Sequence, residues 1–255
     1  MNTIDLNCDM GESFGAWTMG QDADVLAHVT SANIACGFHA GDPQTMRRTV
    51  AAAVARGVAI GAHPSLPDLA GFGRREMRIT ADEAHALTLY QIGALAAMAR
   101  ASGARLHHVK PHGALYNMAA KDRALADAIA TAVRDFDAAL ILVGLATSEL
   151  PSAGERAGLA VAHEAFADRR YEADGSLMAR SKSGAVIDDV DAAVAQAIAI
   201  ATRGEAESAG GKLAIRADTI CVHGDRPDAA TFAQRLREGL EAAGVAVAAL
   251  KGGRA

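Results

Sequence analysis

The stretch Asn33-Ile34-Ala35-Cys36-Gly37-Phe38-His39-Ala40-Gly41-Asp42-Pro43 carries the plan of the whole chain. An apolar run of strand length gives way to a histidine flanked by glycines. Asp42-Pro43 then supplies a helix N-cap and a first-turn proline. Beyond it Met46, Val50 and Val54 recur at helical spacing, and Gly57 is placed to end the helix. The same succession of apolar run, polar residue and turn former is found in Asp5-Leu6-Asn7-Cys8-Asp9-Met10-Gly11-Glu12, Gly61-Ala62-His63-Pro64 and Val109-Lys110-Pro111-His112-Gly113. It returns in His163-Glu164-Ala165-Phe166-Ala167-Asp168-Arg169 and Cys221-Val222-His223-Gly224-Asp225. Strands alternating with helices demand parallel pairing. Parallel strands closed into a barrel bring such endings to one mouth, where catalytic groups gather.

Seven strands are predicted, at Ile4–Cys8, Ala32–Cys36, Val58–Ala62, Leu106–Lys110, Ala139–Val143, Leu159–His163 and Thr219–His223, with a weaker eighth at Val245–Leu250. Thr80-Ala81-Asp82-Glu83 has the form of a capping box and opens a long helix striped by Leu89, Ile92, Leu95 and Ala99. Residues His63 to Ile79 form a long Pro/Gly-rich loop, and Asp168 to Val186 suggests a small hairpin; both are expected to shape the mouth. Gly204–Gly211 reads as a flexible surface connection. The 255 residues suit one α/β domain spanning 1–255, since barrels of this kind run to about 250 residues undivided.

With 51% hydrophobic and 4% aromatic residues, the core is expected to be aliphatic. A formal charge of −5 and a pI near 6.0 argue against nucleic acid or an anionic membrane as partner. The three cysteines lie in apolar runs without a CxxC pattern, as reduced thiols of a cytoplasmic protein would. There is no basic-then-apolar leader and no apolar run of the ~20 residues that span a bilayer.

The two-residue strand period turns Asn7 and Asp9 inward, with Leu6 and Cys8 on the other face. Asp9 and Glu12 can bind a divalent cation, accept protons or orient a histidine. His39 and His63, at strand ends, are candidates for binding or proton transfer. Arg74 and Arg75 suit a carboxylate or phosphate. Lys110 on a last strand position needs an anion; Schiff-base chemistry and binding of a carboxylate or phosphate are both open. His112, Glu164, Asp168, Arg169, His223 and Asp225 repeat the theme. Asp42 reads as a cap, His107 and His108 as structural, and His28 and His85 as surface residues. Neither a phosphate-binding GxxxxGK[ST] loop nor a GxGxxG or HExxH pattern is present, and no nucleophile elbow surrounds Ser65. Asp9, His39 and His63 could assemble a metal site, but spacing alone leaves the metal open.

Asp5–Glu12, Asn33–Pro43, Gly61–Arg75, Val109–Asn117, Glu164–Tyr171 and Ile220–Pro227 resemble, in order, the signature blocks of the LamB/YcsF family, including the uncommon strings NIACGFHAGDP and VKPHGALYN. The resemblance implies a distorted, seven-stranded parallel β/α barrel related to polysaccharide-deacetylase-like barrels. It implies the A subunit of an ATP-dependent 5-oxoprolinase, which converts 5-oxo-L-proline to L-glutamate together with partner subunits B and C. ATP with Mg²⁺ would be a co-substrate, with no tightly bound organic cofactor. The expected catalytic residues are Asp9, His39, His63, Lys110 and His112. Asn7, Glu12, Arg74, Arg75, Glu164, Arg169 and His223 are expected to bind substrate or phosphate. The alternatives are a metal-dependent deacetylase or amidase, or a non-catalytic subunit that binds 5-oxoproline.

Overall fold

The computed structural model describes residues 2–222 and 228–252. Its elements follow one another as β1 (Thr3–Met10), α1 (Asp22–Val25), β2 (Ser31–Ala35), α2 (Pro43–Arg56), β3 (Ala59–His63), α3 (Ala81–Ala101), β4 (His108–Val109), α4 (Gly113–Ala119) and α5 (Arg123–Phe136). Then come β5 (Ile141–Leu145), α6 (Glu149–Ala157), β6 (Ala160–Phe166), α7 (Val190–Arg203), β7 (Glu205–Ser208), β8 (Gly211–Ala214), β9 (Thr219–Val222), α8 (Ala229–Ala242) and β10 (Ala246–Val247). Strands β1 to β6 and β9 run parallel, and β9 pairs with both β6 and β1, closing a seven-stranded barrel. These are the seven strands predicted. The weak eighth, β10, pairs with Thr3 and Ile4 of β1, below Asp5 where β9 takes over that edge. It flanks the seam without entering the ring.

Local signals set the helices. The Asp42 carboxylate accepts from the Gln44 and Thr45 amides at 2.8 and 3.0 Å, and Gly57 ends α2 with φ +65°. Met46 and Val50 are buried, whereas Val54 is 39% exposed, so the stripe on α2 is narrower than its spacing suggests. Thr80 and Glu83 form the expected capping box at α3. Among the described residues no helix is long and apolar enough to cross a membrane.

Alternation along the strands sorts the core. Leu6, Cys8 and Ile34 join one aliphatic cluster with Ile92, Leu95, Ile129, Phe232 and Leu236 of the helices. Asp5, Asn7, Asn33, His108, Glu164 and Thr219 are buried as well, and they form a polar column inside the ring. Asp9 faces Asn33, Asn33 faces Gly61, and Gly61 faces His108 across successive strand pairs. The glycine is what lets the His108 ring reach across to Asn33, because a Cβ at position 61 would sit 2.1 Å from His108 Nε2.

Two connections differ from expectation. Residues 204–211 are no flexible connection: β7 and β8 form an antiparallel hairpin, with Ala206 buried and Lys212 paired to Glu205 at 2.8 Å. The run of small and polar residues concealed a strand that is held by its hairpin partner and by a bridge from Ser208 to Tyr171. Residues 168–186 do fold back on themselves, through bridges Arg169–Val186 and Tyr171–Leu177.

Replacing Gly61 with Ala should lower unfolding stability by about 1–3 kcal/mol, the usual cost of overpacking. Urea denaturation checks this, and an unchanged midpoint would mean that the His108 ring does not need that space.

Candidate active site

The mouth lies at the C-terminal ends of the strands, over a cavity of about 420 Å³ lined in part by Asp9, His63, Arg74, Lys110, His112 and Tyr116. That is the size of a small-molecule site. At its floor Lys110 Nζ lies 3.0 Å from Asp9 Oδ1, 2.7 Å from Glu164 Oε1 and 3.0 Å from Asn7 Oδ1, with Cys221 Sγ at 3.2 Å. Tyr116 donates its hydroxyl to Glu164 Oε2 at 2.6 Å. Asn7 donates to Glu164 and to Thr219, and Thr219 donates to Asp5, carrying the hydrogen-bond chain down the barrel. Asn33 donates to both Asn7 Oδ1 and Asp9 Oδ1, and accepts from His108 Nε2 at 2.8 Å.

Burial alone would pull the Lys110 ammonium down, but Asp9, Cys221 and Glu164 outweigh it and hold its pKa well above the ordinary lysine value. The side chain is therefore a fixed cation, which disfavours the Schiff-base reading. Burial likewise pushes the Asp9 carboxyl up, yet His63 and Lys110 prevail and keep it well below the usual carboxylate range. Burial raises the Tyr116 phenol far up, and Glu164 adds to this, so the hydroxyl stays a proton donor to that carboxylate.

Beside this pair stands a group of three histidines. His63 Nε2 is 3.3 Å from Asp9 Oδ2, and its Nδ1 is 2.7 Å from the Lys110 carbonyl. His112 Nδ1 approaches His63 Nε2 at 3.0 Å while its Nε2 meets the Phe72 carbonyl at 2.9 Å. The His39 ring stacks on His112, centroids 3.9 Å apart and planes within 7°, and His39 Nε2 lies 3.5 Å from Glu12 Oε1. Burial, then the neighbouring His63, lowers the His112 pKa to about 3. Burial lowers His39 as well, with His112 and His63 contributing.

The structure thus brings Asn7, Asp9, Glu12, His39, His63, Lys110, His112 and Glu164 to one place. Arg74 lines the cavity with its guanidinium 4.9 Å from the Phe72 ring centroid. Arg75 is turned aside: it binds Asp68, stands outside the cavity lining, and organises the long loop instead of offering its fork to a ligand. Arg169 lines the cavity but spends hydrogen bonds on the Met178 and Ala185 carbonyls. His223 lies outside the described residues. Sequence reasoning passed over Asp5, Asn33, Tyr116 and Thr219, and it took His108 only as structural. Asp5 continues the two-residue inward period of Asn7 and Asp9, and that signal was present in the sequence. Tyr116 and Thr219 carry no such mark, because their role comes from what they meet across the barrel.

The sequence profile of the LamB/YcsF family matches residues 4–255. The chain is 62% identical over 247 residues to the A subunit of 5-oxoprolinase from Bordetella pertussis, covering 96% of this chain and 98% of that one. It is 58% identical over 251 residues to the A subunit of 5-oxoprolinase from Bacillus subtilis, covering 98% of each. A lactam utilization protein from Thermus thermophilus, solved by crystallography, superposes with a TM-score of 0.92 at 48% identity, over 97% of this chain and all of the other.

Lys110→Met strands two carboxylates in the barrel without their cation and should destabilise the fold by about 3–5 kcal/mol. Adding Glu164→Gln should cost less than the sum of the single changes, because the two share one ion pair. Additive losses in a chemical-denaturation cycle would show that the pair is not coupled.

Proposed function

Because the chain belongs to the LamB/YcsF family, we propose that it is the A subunit of an ATP-hydrolysing 5-oxoprolinase that opens the lactam of 5-oxo-L-proline to L-glutamate. What carries the reading is near full-length identity to proteins bearing that name, joined to a mouth where a fixed ammonium, an ionised Asp9 and a histidine group meet. Its substrates are 5-oxoproline and MgATP, and its partners are the B and C subunits.

The lactam is an unstrained amide, a poor electrophile. Transfer of the γ-phosphoryl group of ATP to the lactam oxygen makes the ring carbon electrophilic. Water adds to that carbon, the C–N bond breaks with a proton passing to the amine, and a γ-carboxyl phosphate remains. A second water cleaves it to glutamate and inorganic phosphate, so two waters are consumed per ATP. Asp9, held ionised, is the base that takes the proton from the attacking water. Lys110, with its three donors spent on Asp9, Glu164 and Asn7, keeps Asp9 in place and ionised. His63, 3.3 Å from Asp9 Oδ2, orients that carboxylate, with His112 and His39 packed behind it. Arg74 at the cavity rim suits the phosphoryl group or the substrate carboxylate, and Arg169, held by the Met178 and Ala185 carbonyls, adds its charge to the cavity wall.

The test combines the chain with its B and C partners, 5-oxoproline and MgATP, and quantifies glutamate and ADP. Glutamate should accumulate only in the complete mixture, one ADP for each. Asp9→Asn, folded by circular dichroism, should cut the rate by about 10²–10⁴-fold, the range for loss of a general base. Absence of glutamate from the full mixture would remove the reading.

A further inference from the structure

The hydrogen bonds of the histidine group leave a charge problem at its centre. Nδ1 of His63 faces the Lys110 carbonyl, and Nε2 of His112 faces the Phe72 carbonyl. A carbonyl only accepts, so each of these nitrogens carries the ring proton. In the neutral rings the remaining nitrogens, Nε2 of His63 and Nδ1 of His112, are then both lone pairs, yet they point at one another across 3.0 Å. Lone pairs so placed require a cation there, either a proton on His63 Nε2, which Asp9 Oδ2 also faces at 3.3 Å, or a metal ion. His39 adds to the demand: it is fully buried, and neither of its ring nitrogens makes a hydrogen bond among the described residues. A buried imidazole without hydrogen bonds is costly.

Glu12 completes the group, and the four donor atoms all lie within 4.8 Å of one another. They come from the ends of four successive strands: Glu12 after β1, His39 after β2, His63 closing β3 and His112 after β4. A four-coordinate divalent ion with ligands at about 2.0–2.2 Å holds its donors about 3.3–3.6 Å apart, so on binding the group draws in by about an ångström and His39 turns off its stack on His112. The surrounding charge agrees in sign. Asp9, Glu12 and Glu164 set three carboxylates against the Lys110 ammonium and the Arg169 guanidinium, with Arg74 exposed on the rim.

We infer that Glu12, His39, His63 and His112 bind one divalent transition-metal ion at the floor of the mouth cavity. Three imidazoles with one carboxylate suit zinc, cobalt, nickel or ferrous iron better than magnesium, which prefers oxygen ligands and keeps its waters. The site is thus distinct from the Mg²⁺ that accompanies ATP. His63 and His112 also line the cavity, so the ion has a side open to a ligand, as catalytic metal sites do. Binding of the ion stands on the donor geometry alone. Only its role, as the positive charge beside the lactam carbonyl, rests on the 5-oxoprolinase reading.

The experiment uses the full chain without partners or 5-oxoproline. Protein stripped with a chelator is titrated with Zn²⁺ and with Co²⁺, following heat by calorimetry and visible d–d absorption of the cobalt complex. One equivalent should bind. His39→Ala and Glu12→Gln should each weaken binding by more than the roughly 10–100-fold typical of losing an outer-shell partner, while His85→Ala, a half-buried residue of α3 paired with Asp135 outside the mouth, should leave it unchanged. Circular dichroism confirms the fold of each variant, and Glu12→Gln serves should His39→Ala not fold. Absence of saturable binding, or binding indifferent to both site variants, would overturn the inference. So would histidine ¹⁵N spectra of metal-exposed protein showing a proton still shared between His63 and His112. Because glutamate formation is not the readout, failure here and failure of the 5-oxoprolinase reading are told apart.

Discussion

A buried ammonium must be surrounded by anions, and the inside of this barrel is arranged around that requirement. Lys110 enters the ring from the end of β4 and is met by Asp9 from β1 and Glu164 from β6. Neither carboxylate is free to serve it alone. Asp9 is steadied by Asn33, and Glu164 by Asn7 and Tyr116. Those amides and hydroxyls are in turn spoken for, down to Asp5 at the base, where Thr30, Ser31 and Thr219 converge on one carboxylate. A half-satisfied polar network is worse than an apolar core. The interior therefore works as a unit, and each strand is held in register by a partner on another.

The network also sets the chemistry. Holding Lys110 as a cation disfavours a nucleophilic amine and makes it, after His63, a counter-ion that keeps Asp9 ionised. Asp9 sits at the boundary, 15% exposed where Glu164 is sealed. One carboxylate is thus offered to the cavity while the other is retained as support. The histidines behind Asp9 occupy a drier place, where burial keeps His39 and His112 from taking up protons in the ordinary range.

Several of these features were readable before any coordinates. The period along Asp5-Leu6-Asn7-Cys8-Asp9 sends polar side chains one way and apolar ones the other, and the barrel follows that division. Asp42 and Thr80 announced their helices by local hydrogen bonding, which depends on neighbours in sequence only. The hairpin of β7 and β8 was concealed because its stability comes from cross-strand pairing and from Tyr171, neither of which leaves a mark in a Gly- and Ser-bearing segment. Arg75 misled for the opposite reason: a guanidinium advertises an anion, but not that the anion is Asp68 in the same loop.

What the sequence determined by itself, then, was the alternation that forces a parallel barrel and the set of strand endings that meet at its mouth. Periodicity and turn chemistry act over a few residues and need no partner. The tertiary structure alone decided the pairings: Lys110 with both Asp9 and Glu164, His108 reaching Asn33 past Gly61, and the ring nitrogens of His63 and His112 turned toward each other. Those contacts join residues far apart in the chain at separations of about three ångströms, and only ring closure and strand register fix such distances.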